Sequence, residues 1–223
     1  MLYLDKVTKY YPTRHGPRCI LRDVTFSLRK GQKLGILGCN GAGKSTLIRL
    51  IGGVELPTSG TVRAEMTISW PLAFQGGFVG GLTGIDNLRF ICRVYDISFE
   101  KALPAVVSFS ELGSYLYEPV VNYSSGMRAR LAFAISMVVD FDCYLMDELS
   151  AVGDRRFNAK CKQELFNLKN NRSIVMVSHF YGVINEYCDT IAVLDNGVFT
   201  MFDDKKEAVD YYDSVLARKD ISF

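Results

Sequence analysis

The 223-residue sequence contains only 6 prolines, too few for a proline-rich linker or a low-complexity chain. It also lacks any run of about 20 apolar residues, the length that a bilayer-spanning helix needs. The longest mainly apolar stretches, such as 131–138, fall far short of it. No signal-peptide pattern opens the chain, so no targeting segment is expected. Charge of one sign is missing too: 26 basic and 24 acidic residues leave a net +2, and their even dispersal excludes a bulk-charge footprint for nucleic acid. The six cysteines, at 19, 39, 92, 143, 161 and 188, form no C-x-x-C pair and no metal-ligand spacing. Reduced structural thiols are expected, and no zinc site. Internal repeats and sustained heptads are absent as well. What remains is 48% hydrophobic and 22% charged, the make-up of a packed domain with a sizeable core.

Hydrophobic patterning predicts strands over 2–7, 19–28 and 33–37, with turns at 14–17 and 30–31. A helix over 46–51 follows and stops at Gly52-Gly53. The glycine-rich segment 71–84 reads as a long mobile loop, and helices are expected at about 86–95 and 99–107, the second kinked or interrupted by Pro104. Ser124 and Ser125 sit where an N-terminal cap belongs, ahead of a helix with Leu131, Ala134, Ile135 and Val138 on one face. Beyond it come an apolar strand over 143–146, a polar helix over about 155–168 and a strand over 174–177. A hairpin of 191–194 with 198–201, turning about Asp195-Asn196-Gly197, precedes a short polar helix and tail over 204–223. Strands alternating with helices imply an α/β fold with a largely parallel, helix-covered sheet.

The sharpest chemical signal is Gly38-Cys39-Asn40-Gly41-Ala42-Gly43-Lys44-Ser45, which fits G-x-x-x-x-G-K-[ST] between a predicted strand and a predicted helix. Such a loop turns backbone N–H groups toward phosphate oxygens. The helix N-terminus adds partial positive charge, Lys44 a full one, and Ser45 a hydroxyl ligand for Mg²⁺. A second apolar strand ends in Asp147-Glu148. In a phosphate-loop protein a carboxylate at this place can hold the Mg²⁺ shell, and its neighbour can polarise an attacking water. His179 lies just past a third strand end, where it can sense a γ-phosphate.

Together these residues resemble the ATP-binding-cassette ATPases over nearly the whole chain, which implies a P-loop NTPase core with a parallel sheet, an N-terminal antiparallel β region and a helical signature subdomain. By that resemblance, 1–73 and 143–223 form the nucleotide-binding core of a single cassette, and about 74–142 the glutamine loop and signature subdomain. Ser124-Ser125-Gly126-Met127-Arg128 stands at the signature motif, Ala151-Val152-Gly153-Asp154 at the D-loop, and Ser178-His179 at the switch histidine. Tyr11 takes the place of the aromatic that stacks on adenine, and Thr46 follows Ser45 in the loop's nucleotide contacts. Gln75 is the nearest candidate for the glutamine that completes the Mg²⁺ site. Departures from the common pattern are Ser125 for the signature's first glycine, Met127 for its glutamine and Leu149 for a proline. Tyr123 to Arg128, Ile68-Ser69-Trp70-Pro71 and Leu82-Thr83-Gly84 look like the ATP-binding subunits of bacterial capsular polysaccharide exporters.

The partners follow from the same likeness. A signature helix N-terminus bearing Ser125 and Gly126 offers anion-binding N–H groups but belongs to a subdomain apart from the phosphate loop, so it needs a phosphate from elsewhere. The resemblance implies that a second copy supplies it in a head-to-tail ATP sandwich. It also implies a membrane-embedded permease contacting 71–84 and the helices beyond, a polysaccharide or glycolipid cargo, no nucleic acid, and a peripheral position on the cytoplasmic face of the bacterial inner membrane. The alternatives are a soluble cassette ATPase acting on nucleic acid or ribosomes, an exporter of another glycan or glycolipid, and a phosphate-loop kinase. A net charge of +2 and a single phosphate loop give the first little support, and a kinase would leave the signature, D-loop and His179 without a purpose.

Overall fold

In the computed structural model, which describes residues 1–72, 77–147, 155–165 and 171–220, the chain divides into two units. One comprises Met1–Pro71, Phe141–Glu148 and Asn171–Phe223, the other Leu72–Asp140 and Leu149–Asn170.

Strands β1 (Leu2–Thr13) and β2 (Gly16–Leu28) extend the two predicted N-terminal strands into a long antiparallel pair. A bulge sets which face is buried. Leu4 pairs with Phe26 but Val7 with Val24, so β1 carries one extra residue there, with Lys6 at φ +48°. The extra residue reverses the alternation and returns Val7 to the buried face shared by Leu2 and Leu4. Five further strands and a helix continue this unit: β3 (Lys33–Leu37), α1 (Lys44–Ile51), β4 (Ser59–Ala64), β5 (Ile68–Pro71), β6 (Cys143–Asp147) and β7 (Ser173–Ser178). After them come α6 (Tyr181–Tyr187), β8 (Thr190–Asp195), β9 (Val198–Phe202) and α7 (Lys205–Asp220). Strand β4 joins the first sheet in the order β2-β1-β4, and the rest form a six-stranded sheet in the order β5-β6-β7-β3-β8-β9. All neighbours in that second sheet are parallel except β8 with β9. Patterning missed β4, β5 and α6, since β4 is mostly exposed and the other two span only 4 and 7 residues.

Strands β6 and β7 are buried along nearly their whole length, as parallel strands covered on both faces must be. Helix α1 turns Leu47, Ile48, Leu50 and Ile51 into one core with Leu2, Val24, Leu145 and Val177. Burial of each such side chain is worth about 1.5–3 kcal/mol. Gly35 in β3 is a close-approach site, because a Cβ there would lie 2.2 Å from Ile184 Cγ2 of α6. The predicted hairpin is present: Asp195 pairs with Val198 across Asn196 and Gly197, at φ +48° and +81°, the signs of a type I′ turn.

The second unit contains α2 (Gly84–Val94), α3 (Phe99–Ser110), α4 (Ser125–Val138) and α5 (Arg155–Gln163). Thr83, Ser98 and Ser124 cap the first three by accepting from Asp86, Lys101 and Met127 N–H. Residues 79–83, expected to belong to a mobile loop, are held in place. The Asn87 side chain accepts from Val79 N and donates to Val79 O, while Val120 and Val121 N–H donate to Leu82 and Gly80 carbonyls. Pro104 does not interrupt α3. The acceptor it deprives is the carbonyl of exposed Glu100 in the first turn, which water can satisfy. Helix α5 belongs to this unit because Phe157 packs edge-on against Phe109 and Phe133. Lys160 Nζ adds bonds to the last carbonyls of α3, at 3.0 and 3.1 Å, and to Glu111 at 2.9 Å. Truncating Phe157 to Ala should destabilise the protein by about 3–5 kcal/mol, read as a lower denaturant midpoint. Among the described residues no helix is long and apolar enough to cross a membrane.

Candidate functional site

The phosphate-loop residues leave β3 and enter α1, and β3 sits between β7 and β8 in the sheet. The loop geometry depends on glycine at Gly43, which has φ +109° and packs so that a Cβ would meet Ile20 O and Leu21 Cδ2 at 2.9 Å. Lys44 is 7% exposed, and its ammonium donates to Gly38 O at 2.7 Å and Cys39 O at 3.1 Å. An ammonium is withdrawn from water at this level only when it is hydrogen-bonded, so Lys44 braces the loop around itself. Ala42 N–H donates to Cys39 O and Leu47 N–H to Gly43 O, closing the turn into the helix. This cradle, with a helix N-terminus and a lysine at its base, has the chemistry of a polyphosphate site.

The parallel sheet brings two more predicted residues to the same edge. Asp147 ends β6 opposite Val177 of β7, and Ser178 ends β7 opposite Leu37, the last residue of β3. Asp147 therefore lies two strand spacings, about 10 Å, from the strand that feeds the loop. His179 follows Ser178, its ring centroid 3.8 Å from that of Phe180 and its carbonyl accepting from Tyr212 Oη at 3.4 Å. Clustering at the carboxyl ends of parallel strands is where open α/β sheets hold ligands. Ser45 adjoins Lys44 in the first turn of α1, and Thr46 is buried one residue on.

Tyr11 lies near the end of β1, and its hydroxyl donates to Glu55 Oε2. Arg49 of α1 donates to the same hydroxyl at 3.3 Å and to Glu55 Oε1 at 2.6 Å. Sequence reasoning missed Arg49 and Glu55. They stand 38 and 44 residues from Tyr11, and no local pattern announces the meeting. Ser125 and Gly126 occupy the first turn of α4 in the second unit, where Ser124 rather than Ser125 is the cap. Gln75, Glu148, Leu149 and the 151–154 segment lie outside the described residues.

A family model described as "ABC transporter" matches residues 21–151. The chain belongs to the ABC transporter family. The cassette is 56% identical over 215 residues to the capsule polysaccharide export ATP-binding protein CtrD of Neisseria meningitidis serogroup B, covering 96% of this chain and 100% of that protein. It is 57% identical to the ATP-binding protein BexA of Haemophilus influenzae, over 95% of this chain and 98% of that one. Among solved structures, the dimeric post-hydrolysis state of the ATP-binding cassette MJ0796 with ADP and Pi superposes with a TM-score of 0.76 at 22% identity, covering 88% of this chain and 95% of that one. The expected fold, a P-loop ABC ATPase core with an N-terminal antiparallel sheet and a helical unit, is borne out.

All six cysteines of the cassette are free thiols, and Cys92, Cys143, Cys161 and Cys188 are buried while Cys19 and Cys39 are partly accessible. Desolvation pushes Cys143, Cys161 and Cys188 up to about 12, so near pH 8 they stay protonated and unreactive. A maleimide should therefore label Cys19 and Cys39 first. ATP with Mg²⁺ should protect Cys39 alone, as read by peptide mass spectrometry, and Cys39→Ser should remove any block of hydrolysis that labelling causes.

Proposed function

We propose that this chain is the ATP-hydrolysing motor subunit of an exporter that moves capsular polysaccharide across the bacterial inner membrane. The observation that carries the chemistry is the Lys44-braced loop on the same sheet edge as Asp147 and His179. Support for the substrate class comes from relatives named for capsule polysaccharide export, matched over essentially their whole length. A polysialic acid transport ATP-binding protein of Escherichia coli, 39% identical over 215 residues, points the same way. None of these names favours the nucleic-acid or ribosome reading, and the net charge of +2 gives it no electrostatic footing.

In this reading the N–H groups of 38–46 and the Lys44 ammonium hold the ATP phosphates, and the Tyr11 ring stacks on the base. Mg²⁺, held by Ser45 and Asp147 with Gln75, would neutralise charge on the phosphate oxygens when bound. Glu148 takes a proton from the attacking water and His179 orients toward the terminal phosphate. Ser125 and Gly126 of a second copy close over the same nucleotide, so that binding favours the dimer and hydrolysis releases it. That the MJ0796 cassette is dimeric in its post-hydrolysis state supports a dimer. A membrane-embedded permease supplies the path, and the motor sits peripherally on the cytoplasmic face. Deleting the chain should abolish surface polysaccharide and accumulate it inside the cell, with rescue by the intact protein and none by Lys44→Ala. Normal surface polysaccharide in the deletion strain would overturn the substrate assignment.

A further inference from the structure

A dense polar cluster surrounds the hydroxyl end of Tyr11. That hydroxyl donates to Glu55 Oε2 and accepts from Arg49 Nη2 at 3.3 Å. Arg49 Nε closes the triangle on Glu55 Oε1 at 2.6 Å and its Nη2 also reaches Thr46 Oγ1 at 3.3 Å. Lys9 Nζ binds Glu55 Oε2 at 3.3 Å and Leu56 O at 2.7 Å, and lies 5.2 Å from the Tyr11 ring centroid. We propose that Arg49 and Glu55 are positioning residues for the nucleotide base, fixing the plane of the Tyr11 ring relative to the phosphate loop.

A tyrosine ring has two side-chain torsions, and strand β1 anchors only its Cα end. The hydroxyl oxygen lies on the axis of the second torsion, so holding it in place sets the first; because the phenolic O–H prefers the ring plane, the direction of its donation to Glu55 orients the ring about that axis and sets the second. The donor comes from α1, the helix that begins at Lys44, five residues or about 7.5 Å of helix rise before Arg49. Base platform and phosphate cradle are thereby referred to one rigid helix rather than to two independent sheets. Lys9 lies over one ring face, and in this proposal the incoming base takes the opposite one. The same contacts, the Tyr11 hydroxyl foremost, hold the Glu55 carboxyl below the usual carboxylate range and push Arg49 higher still. The cluster therefore keeps its charges, and with them its geometry, at any physiological pH.

The inference rests on Tyr11 being the base-stacking residue, and one experiment separates the two. Affinities of the purified full chain for ADP and for pyrophosphate are measured by calorimetry in Tyr11→Ala, Tyr11→Phe, Glu55→Ala and the Tyr11→Phe/Glu55→Ala double variant. Pyrophosphate reports the cradle without the base. Tyr11→Phe and Glu55→Ala should each weaken ADP by about 3- to 10-fold, with the double variant no worse than the weaker single, and KM for ATP should rise while kcat holds. Pyrophosphate affinity should stay unchanged throughout. Unchanged ADP affinity in Tyr11→Ala would overturn the stacking reading and the positioning role with it. A loss in Tyr11→Ala but none in Tyr11→Phe and Glu55→Ala would leave stacking standing and overturn positioning alone. Equal losses of ADP and pyrophosphate in Glu55→Ala would mean that Glu55 merely supports the fold, and would also overturn the proposal.

Discussion

Replacing Glu148 with Gln should slow ATP turnover by about 10²–10⁴-fold while leaving ATP affinity within a few-fold of the parent. The side chain follows Asp147, which ends a buried strand on the edge that carries the phosphate loop. A glutamine keeps the size and the hydrogen-bonding capacity but cannot accept a proton, so only the step that needs a base is lost. Because binding persists and release by hydrolysis does not, the variant should also accumulate as an ATP-dependent dimer, visible by size-exclusion chromatography with light scattering. Unchanged turnover would remove Glu148 from the base role. A dimer that forms equally without nucleotide would separate dimerisation from the nucleotide site. Asp147→Asn should differ in kind, weakening Mg²⁺ dependence first, because its oxygens are assigned to the cation rather than to the water.

Loss of the Lys44 ammonium should have the other large effect: Lys44→Ala should weaken ATP by about 10²-fold, the scale of a charge-assisted bond to a phosphate in a site shielded from water. Two consequences combine. The ammonium charge that would face the phosphates disappears, and the Gly38 and Cys39 carbonyls lose the donor that holds the loop in register. Lys44→Arg should not rescue binding, because a planar guanidinium cannot enter a position only 7% exposed without shifting the loop. Calorimetry with ATP measures the affinity, and the thermal midpoint without nucleotide checks that the fold survives. Parent-like affinity in Lys44→Ala would argue against the phosphate-loop reading altogether.

Much of the site was legible because its geometry is local. Eight consecutive residues specify the phosphate loop, with glycine where the backbone must take positive φ, and Asp147 and His179 are marked by the ends of apolar strands that any parallel sheet must align. Ser124 announces a helix start for the same reason, since a cap bonds to a backbone group three residues away. The features that escaped are those whose partners are remote or whose patterns are short. Strand β5 has four residues and takes its identity from pairing with β6, and α5 packs through Phe157 on Phe109 and Phe133, partners that no local pattern indicates. Pro104 predicts a kink or an interruption, yet α3 continues through it, because a first-turn carbonyl loses little when water can reach it.

By itself, then, the sequence determined the phosphate-loop pattern, the order of the longer strands and helices and the absence of any apolar run long enough to span a bilayer. Each of these follows from residues within a few positions of one another. Only the tertiary structure decided that β3 lies between β7 and β8, that Val7 rejoins the buried face through a bulge, and that Tyr11, Arg49 and Glu55 meet. Those outcomes depend on which distant segments pair and pack. Burial and hydrogen bonding between remote residues are properties of the whole folded chain, and no window of its sequence contains them.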